Sequence, residues 1–180
     1  MDIYDNNINV LTNYIADGSK GRNSNAVGVE LEHFVIDKNG DCVPYINGVE
    51  NIIEQLAKNF PKHVYSEGFL IGLSCDKYNI TLEPGAQIEI SIKPTENICE
   101  IENIYGEFLS VINPILDKYS YRLTKLGNMP KNKAKNISLI TKKSYEYMNK
   151  YFKSVGTRGV NMMSGTAYET VSIDFADEKT

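Results

Sequence analysis

Three short stretches of the chain hold acidic or hydroxyl side chains at a spacing of two. Val27-Gly28-Val29-Glu30-Leu31-Glu32-His33-Phe34-Val35-Ile36 sets Glu30 and Glu32 in an otherwise apolar run. Leu82-Glu83-Pro84-Gly85-Ala86-Gln87-Ile88-Glu89-Ile90-Ser91-Ile92-Lys93 alternates strictly from Gln87 onward and carries Glu83 and Glu89. Thr170-Val171-Ser172-Ile173-Asp174-Phe175 opposes Thr170, Ser172 and Asp174 to Val171, Ile173 and Phe175. Successive side chains on a strand point to opposite faces. Each stretch therefore predicts a strand with one apolar and one polar face. If the three strands share one sheet with polar faces aligned, several carboxylates crowd together. Like charges at close range cost free energy unless a cation or a proton offsets them. An all-oxygen donor set points to magnesium ahead of manganese or calcium. Taken singly, each strand also reads as amphipathic with solvated acids. Glu-x-Glu inside a nearly continuous apolar run argues against that, because buried acids need partners.

The elements that must position these residues follow from the rest of the sequence. Ile8, Leu11, Tyr14 and Ile15 predict a helix over residues 3–17, stopped by Gly18, with a polar loop at 18–26. Lys38-Asn39-Gly40-Asp41 predicts a hairpin turn between the first acidic strand and a short partner from Cys42 to Tyr45. Asn47 with Glu50 three residues later reads as a capping box. The helix it starts carries Val49, Ile52, Ile53, Leu56, Ala57 and Phe60 on one stripe and ends at Pro61. Two short strands are expected around Tyr65 and from Phe69 to Ser74, with His63 in a loop. Pro84-Gly85 should turn or bulge the chain between Glu83 and Gln87. After the central strand, the longest helix runs from about Asn97 with Ile98, Ile101, Ile104, Phe108, Ile112, Ile115 and Leu116 on its core face. Pro114 should kink or divide it. Tyr145, Met148 and Phe152 mark another helix, ended near Gly156. The expected result is an α+β fold. Its antiparallel sheet packs helices on the apolar face and leaves the polar face open. Ile88, Ile90, Ile92, Val171, Ile173 and Phe175 should be buried against the helices containing Ile53 and Phe108.

The order and content of Gly28-Val29-Glu30-Leu31-Glu32-His33, Leu82-Glu83-Pro84-Gly85-Ala86-Gln87-Ile88-Glu89-Ile90-Ser91 and Met162-Met163-x-x-Thr166, followed by Val171 to Phe175, resemble glutamate–cysteine ligases. The plant and proteobacterial type is most similar, with the related bacterial carboxylate–amine ligases. Met129-Pro130-Lys131 resembles a further landmark of that family, and Glu-Pro-Gly-x-Gln-x-Glu is the most specific part. The resemblance implies a glutamine-synthetase-like fold, whose sheet forms an active-site funnel. It implies ATP-dependent joining of the glutamate γ-carboxylate to the amine of cysteine through a γ-glutamyl phosphate, as in glutathione biosynthesis. Glu30, Glu32, Glu83 and Glu89 would hold Mg2+, with Gln87, Ser172, Asp174 and Lys131 at substrate or nucleotide; no residue is singled out as catalytic. Where plant-type relatives read Arg-Thr-Cys-Thr-x-Gln-Val-Asn, this chain reads Gly165-Thr166-Ala167-Tyr168-Glu169-Thr170-Val171-Ser172. Family members continue further, so residues 1–180 are expected to form the N-terminal part of a catalytic domain. Alone they should be inactive, with an exposed sheet edge inviting self-association or a missing C-terminal half. The alternatives are a related carboxylate–amine ligase with another acceptor, or a non-catalytic remnant or assembly subunit.

Composition bounds the rest. A chain of 180 residues with 42% hydrophobic and 23% charged residues fits one domain with a real core. A net charge of −4 gives no electrostatic footprint for nucleic acid. No apolar run has the length of a membrane span, and the acidic Met1-Asp2-Ile3-Tyr4-Asp5 does not read as a signal peptide; the cytoplasm is the expected compartment. Cys42, Cys75 and Cys99 lack metal or redox spacing and read as reduced small hydrophobes. His33 falls opposite Glu30 and Glu32 by parity and is expected to be structural. There is no phosphate-cradling glycine loop and no Ser/Cys–His pair with motif spacing.

Overall fold

The computed structural model describes residues 2–20 and 25–177. Part of the expected loop, residues 21–24, and the last three residues, 178–180, lie outside the described residues. Six strands form one antiparallel sheet: β1 (Val27–His33), β3 (Lys62–Ser66), β4 (Phe69–Ser74), β5 (Tyr78–Leu82), β6 (Ile88–Thr95) and β8 (Glu169–Ile173). Their order across the sheet is β3-β4-β5-β6-β1-β8. A two-stranded ribbon pairs β2 (Val35–Ile36) with β7 (Arg122–Leu123). The helices are α1 (Ile3–Ala16), α2 (Glu50–Ala57), α3 (Ile98–Lys118), α4 (Lys143–Val155) and α5 (Gly159–Gly165). This is the α+β architecture expected. None of the helices among the described residues is long and apolar enough to cross a membrane.

The alternation of the central strands fixes which face is buried. Ile80 faces Ile90, which faces Leu31, across β5, β6 and β1. Ile80, Ile88 and Ile90 are at most 1% exposed, as are Ile53 and Leu56 of α2 and Phe108 and Ile112 of α3. Full burial of such a side chain contributes roughly 1.5–3 kcal/mol. The Asn97 side chain accepts a hydrogen bond from the Cys99 N–H at 3.0 Å, capping α3. The helix runs through Pro114 without division. Glu50 reaches back to the Asn47 N–H at 3.2 Å, half of the expected capping box. Asn47 itself sits at φ +58 in a wide turn over Tyr45–Val49, so regular α2 begins only at Glu50.

Several expectations need correction. Val171 and Ile173 of β8 are 64% and 73% exposed, and Phe175, at 36%, lies beyond the strand. Their parity is right, since Val171 opposes Val29. However, β8 is an edge strand, and the covering helices lie over the middle of the sheet, α2 on β4 and α3 on β6. α1 forms as expected but buries none of its residues. Ile98, the first residue of α3, is exposed rather than on the core face. β1 and β2 do not run on as one strand; they break at Phe34, which is fully buried with Met129 and Ala167 in a second small core. The Cys42–Tyr45 partner strand reduces to a bridge between Ile36 and Cys42. His63 lies in β3, and its Nε2 is 3.0 Å from the Ala57 and Phe60 carbonyls at the end of α2.

Candidate functional site

The register brings the acids together. Glu32 of β1 stands directly opposite Glu89 of β6, Glu30 opposite Ser91, and Glu89 opposite Thr81 of β5. Opposed residues share a face, with Cβ atoms about 4.5–5.5 Å apart. Glu30, Glu32 and Glu89 therefore occupy one polar face, as their parity required. Glu83 joins them through a tight loop. The Glu83 N–H donates to the Gln87 carbonyl at 2.9 Å, and the Ala86 N–H donates to the Glu83 carbonyl at 2.8 Å. Gly85 sits in that loop where an added Cβ would come within 2.9 Å of both Gln87 Oε1 and the Ser164 carbonyl. Only glycine fits such an approach.

The electrostatics report burial first and crowding second. Partial burial pushes the Glu32 carboxyl up to about 7; the Tyr168 N–H opposes the rise, and Glu83, Glu89 and Glu30 reinforce it. Burial and then Glu89 raise Glu30. Burial and Glu89 raise Glu83, with Lys142 and the Tyr145 hydroxyl pulling it back. Glu89 Oε1 accepts from the hydroxyls of Thr81 at 2.7 Å and Ser91 at 2.8 Å. Glu32 Oε2 accepts from the Tyr168 N–H at 3.0 Å. These bonds orient one oxygen of each carboxylate and leave the other for a ligand.

No three His, Cys, Asp or Glu side chains among the described residues converge into a ready-made metal cage. Magnesium does not need one, because it binds through one or two carboxylates and completes its shell with water and phosphate oxygens. An opposed pair of hard-oxygen donors fits that demand. Glu32 and Glu89 form such a pair, with Glu30 and Glu83 beside it.

The remaining candidates divide. Gln87 is 1% exposed. Its Oε1 accepts from the Gly85 N–H at 2.7 Å and its Nε2 donates to the Thr166 carbonyl at 2.7 Å. Its amide thus ties the Glu83–Gln87 loop to the end of α5. Ser172 opposes Gly28, on the face of Glu30 but at the exposed edge. Asp174 follows the last residue of β8. Lys131 does not join the acids: its Nζ donates to Asp41 Oδ2 at 2.7 Å and to the Asn39 carbonyl at 3.1 Å.

Tyr145 and Lys142 were not legible as site residues. The Tyr145 hydroxyl lies 3.3 Å from the Leu82 carbonyl and 3.5 Å from Glu83 Oε1, and burial followed by Glu83 and Glu89 raises its phenol. Lys142 Nζ donates to that hydroxyl at 3.2 Å. In sequence, Tyr145 is one member of a helical stripe and Lys142 one of many scattered lysines. His33 is structural, as expected. Its Nδ1 lies 2.8 Å from the Thr124 carbonyl, which can only accept, so Nδ1 carries the proton and Nε2 accepts from the Tyr105 hydroxyl at 3.0 Å. Burial lowers its proton affinity.

Residues 26–180 match the model of glutamate–cysteine ligase family 2. The chain is 29% identical over 169 residues to the chloroplastic glutamate–cysteine ligase of Medicago truncatula, covering 93% of this chain and 33% of that protein. It is 28% identical over 166 residues to the chloroplastic enzyme of Arabidopsis thaliana, covering 92% and 32%. Against the chloroplastic glutamate–cysteine ligase A of Oryza sativa subsp. japonica it is 28% identical over 170 residues, covering 94% and 35%. The chain thus spans about a third of the length of the curated relatives it matches. Their names overturn the cytoplasmic expectation, since all three are chloroplastic. At Gly165, where the plant-type pattern has arginine, an added Cβ would meet Ala134 Cβ at 2.9 Å. This chain has no room for that side chain.

Proposed function

The chain belongs to glutamate–cysteine ligase family 2, and on that premise we propose that it supplies the metal-binding part of an ATP-dependent ligase. The sheet would form part of a glutamine-synthetase-like funnel. In the proposed reaction the glutamate γ-carboxylate attacks the terminal phosphorus of ATP, releasing ADP. The cysteine amine then attacks the γ-glutamyl phosphate, losing a proton and expelling phosphate to leave a γ-glutamyl amide.

The single observation that carries this reading is the opposition of Glu32 and Glu89, with Glu30 and Glu83 on the same face. Magnesium bound there would offset the negative charge of nucleotide and glutamate. The chain's own residues do the rest. Thr81 and Ser91 hold Glu89, and the Tyr168 N–H holds Glu32. Tyr145 and Lys142 hold the Glu83 end. Gln87 keeps the loop carrying Glu83 against Thr166. Positioning of this kind supplies much of the acceleration in phosphoryl transfer.

Calorimetric titration of the chain with Mg2+, with and without ATP, tests the reading. Glu89→Gln removes one negative charge at constant size and should weaken Mg2+ binding at least tenfold. Unchanged affinity would overturn the assignment. A coupled ADP-release assay with glutamate and an amino-acid panel should show residues 1–180 alone to be inactive. Robust γ-glutamylcysteine formation would mean that the chain assembles a complete site.

A further inference from the structure

At the end of β1 the structure holds an open cavity of about 580 Å3, the size of a small-molecule site. Leu31 and His33 flank Glu32 in sequence and point to the face opposite the acids; both line the cavity, with Tyr105, Lys125, Leu126 and Glu169. Glu32 and Tyr168 belong to the same lining, so the cavity reaches round β1 to the acidic face. Residues 125–127 and 167–169 form two of its walls, and the Ala167 N–H ties them together by donating to the Gly127 carbonyl at 3.1 Å. The backbone at Lys125 is pinned, because Thr124 before it donates its N–H to the Phe34 carbonyl at 2.9 Å and accepts from His33 Nδ1 at 2.8 Å. Glu169 is held opposite Leu31 by the β1–β8 pairing and so shares its face. A cation and an anion thus stand on one cavity from two separate segments. Neither joins the ion pairs among the described residues, Lys77–Glu107 and Lys131–Asp41. Behind burial and the Thr124 carbonyl, Glu169 raises and Lys125 lowers the proton affinity of His33, so both charges act on one ring of the lining.

We propose that this cavity binds a free α-amino acid with an aliphatic side chain. Lys125 takes the α-carboxylate, Glu169 takes the α-ammonium group, and Leu31 and Leu126 meet the side chain. A ligand carrying only one of the two charges leaves the opposite protein group unmatched, so the arrangement selects a zwitterion. The Tyr105 hydroxyl donates to His33 Nε2 at 3.0 Å, which leaves its oxygen to accept a hydrogen bond from the ammonium group. Both nitrogens of His33 are already engaged, so the ring serves as a wall and not as a ligand group. The site stands apart from the ligase reading and does not depend on it. It touches the acidic face at one point, since Tyr168 lines the cavity and its N–H holds Glu32.

The test is heteronuclear NMR of the chain titrated with leucine, leucinamide and N-acetylleucine. Leucine should shift the backbone signals of Lys125, Leu126, Gly127 and Glu169. Leucinamide lacks the carboxylate and N-acetylleucine lacks the ammonium group, and each should bind at least about fivefold more weakly. Lys125→Met should abolish the preference for leucine over leucinamide, and Glu169→Gln the preference over N-acetylleucine. Both side chains are exposed, so neither change removes a core contact. No shift with leucine at millimolar concentrations, shifts confined to Glu30, Glu83 and Glu89, or equal binding of the three compounds would each overturn the proposal. So would two variants that keep the parent's preferences.

Discussion

Glu32→Gln should make the chain more stable at neutral pH and less able to bind magnesium. Glu32 has an ordinary carboxyl value of 4.5 when unfolded and about 7 when folded. Between those values the folded state holds a proton that the unfolded state has released. The stabilisation from that proton is full below pH 4.5 and is lost as pH rises through about 7. At about 1.36 kcal/mol per pH unit the ceiling is about 3.4 kcal/mol. Glu32 is only partly buried, and solvent screening reduces this to about 1–2 kcal/mol. Glutamine at this position is neutral at every pH and can still accept the Tyr168 N–H. Urea unfolding at a series of pH values should therefore show parent and variant equal near pH 4 and the variant ahead by about 1–2 kcal/mol at pH 7.5. Saturating Mg2+ should stabilise the parent by mass action and close the gap, with little effect on the variant. A variant less stable than the parent at pH 7.5, or a difference independent of pH, would refute the argument that burial, reinforced by Glu83, Glu89 and Glu30, disfavours the Glu32 carboxylate here.

The other predictions concern the scaffold. Ile90→Ala removes a fully buried side chain and should cost about 2–5 kcal/mol; an unchanged denaturation midpoint would show that the helices do not cover this face. Gly85→Ala should cost about 1–3 kcal/mol through overpacking against Gln87 and Ser164, and thermal unfolding at the parent temperature would contradict that. Gln87→Ala strands the Gly85 N–H and the Thr166 carbonyl. The expected loss is about 1–3 kcal/mol for each group left unpaired, and faster amide exchange at Gly85 is the signature to look for. Tyr105→Phe removes the donor to His33 Nε2 and should cost about 0.5–1.5 kcal/mol; if the midpoint does not move, the assigned tautomer is wrong.

Period-two alternation from Gln87 to Lys93 and the Glu-x-Glu of residues 30–32 determined the strands and which side chains share a face. That follows from backbone geometry alone, since each side chain points opposite to its neighbour. The helical stripes of Ile52, Ile53 and Leu56, and of Ile104, Phe108 and Ile112, were equally legible because period 3.6 is local too. The bend at Pro84-Gly85 and the structural role of His33 also followed from the chain. The neighbours across the sheet were not local facts. Placing β1 between β6 and β8 opposes Glu32 to Glu89 across 57 residues of chain, and only burial of Leu31, Ile90 and Ile80 in one core selects that pairing. The same long-range arrangement decided which apolar residues stayed in water. Val171 and Ile173 have the right parity for the core, but α3 lies over β6, and no alternation pattern reveals where a helix ends up. Tyr145 and Lys142 reach Glu83 across 62 and 59 residues. Gln87, a binding candidate by motif, became an internal brace because Thr166 and Gly85 meet it on both sides. Local periodicity determines which residues share a face, whereas tertiary packing decides what that face meets.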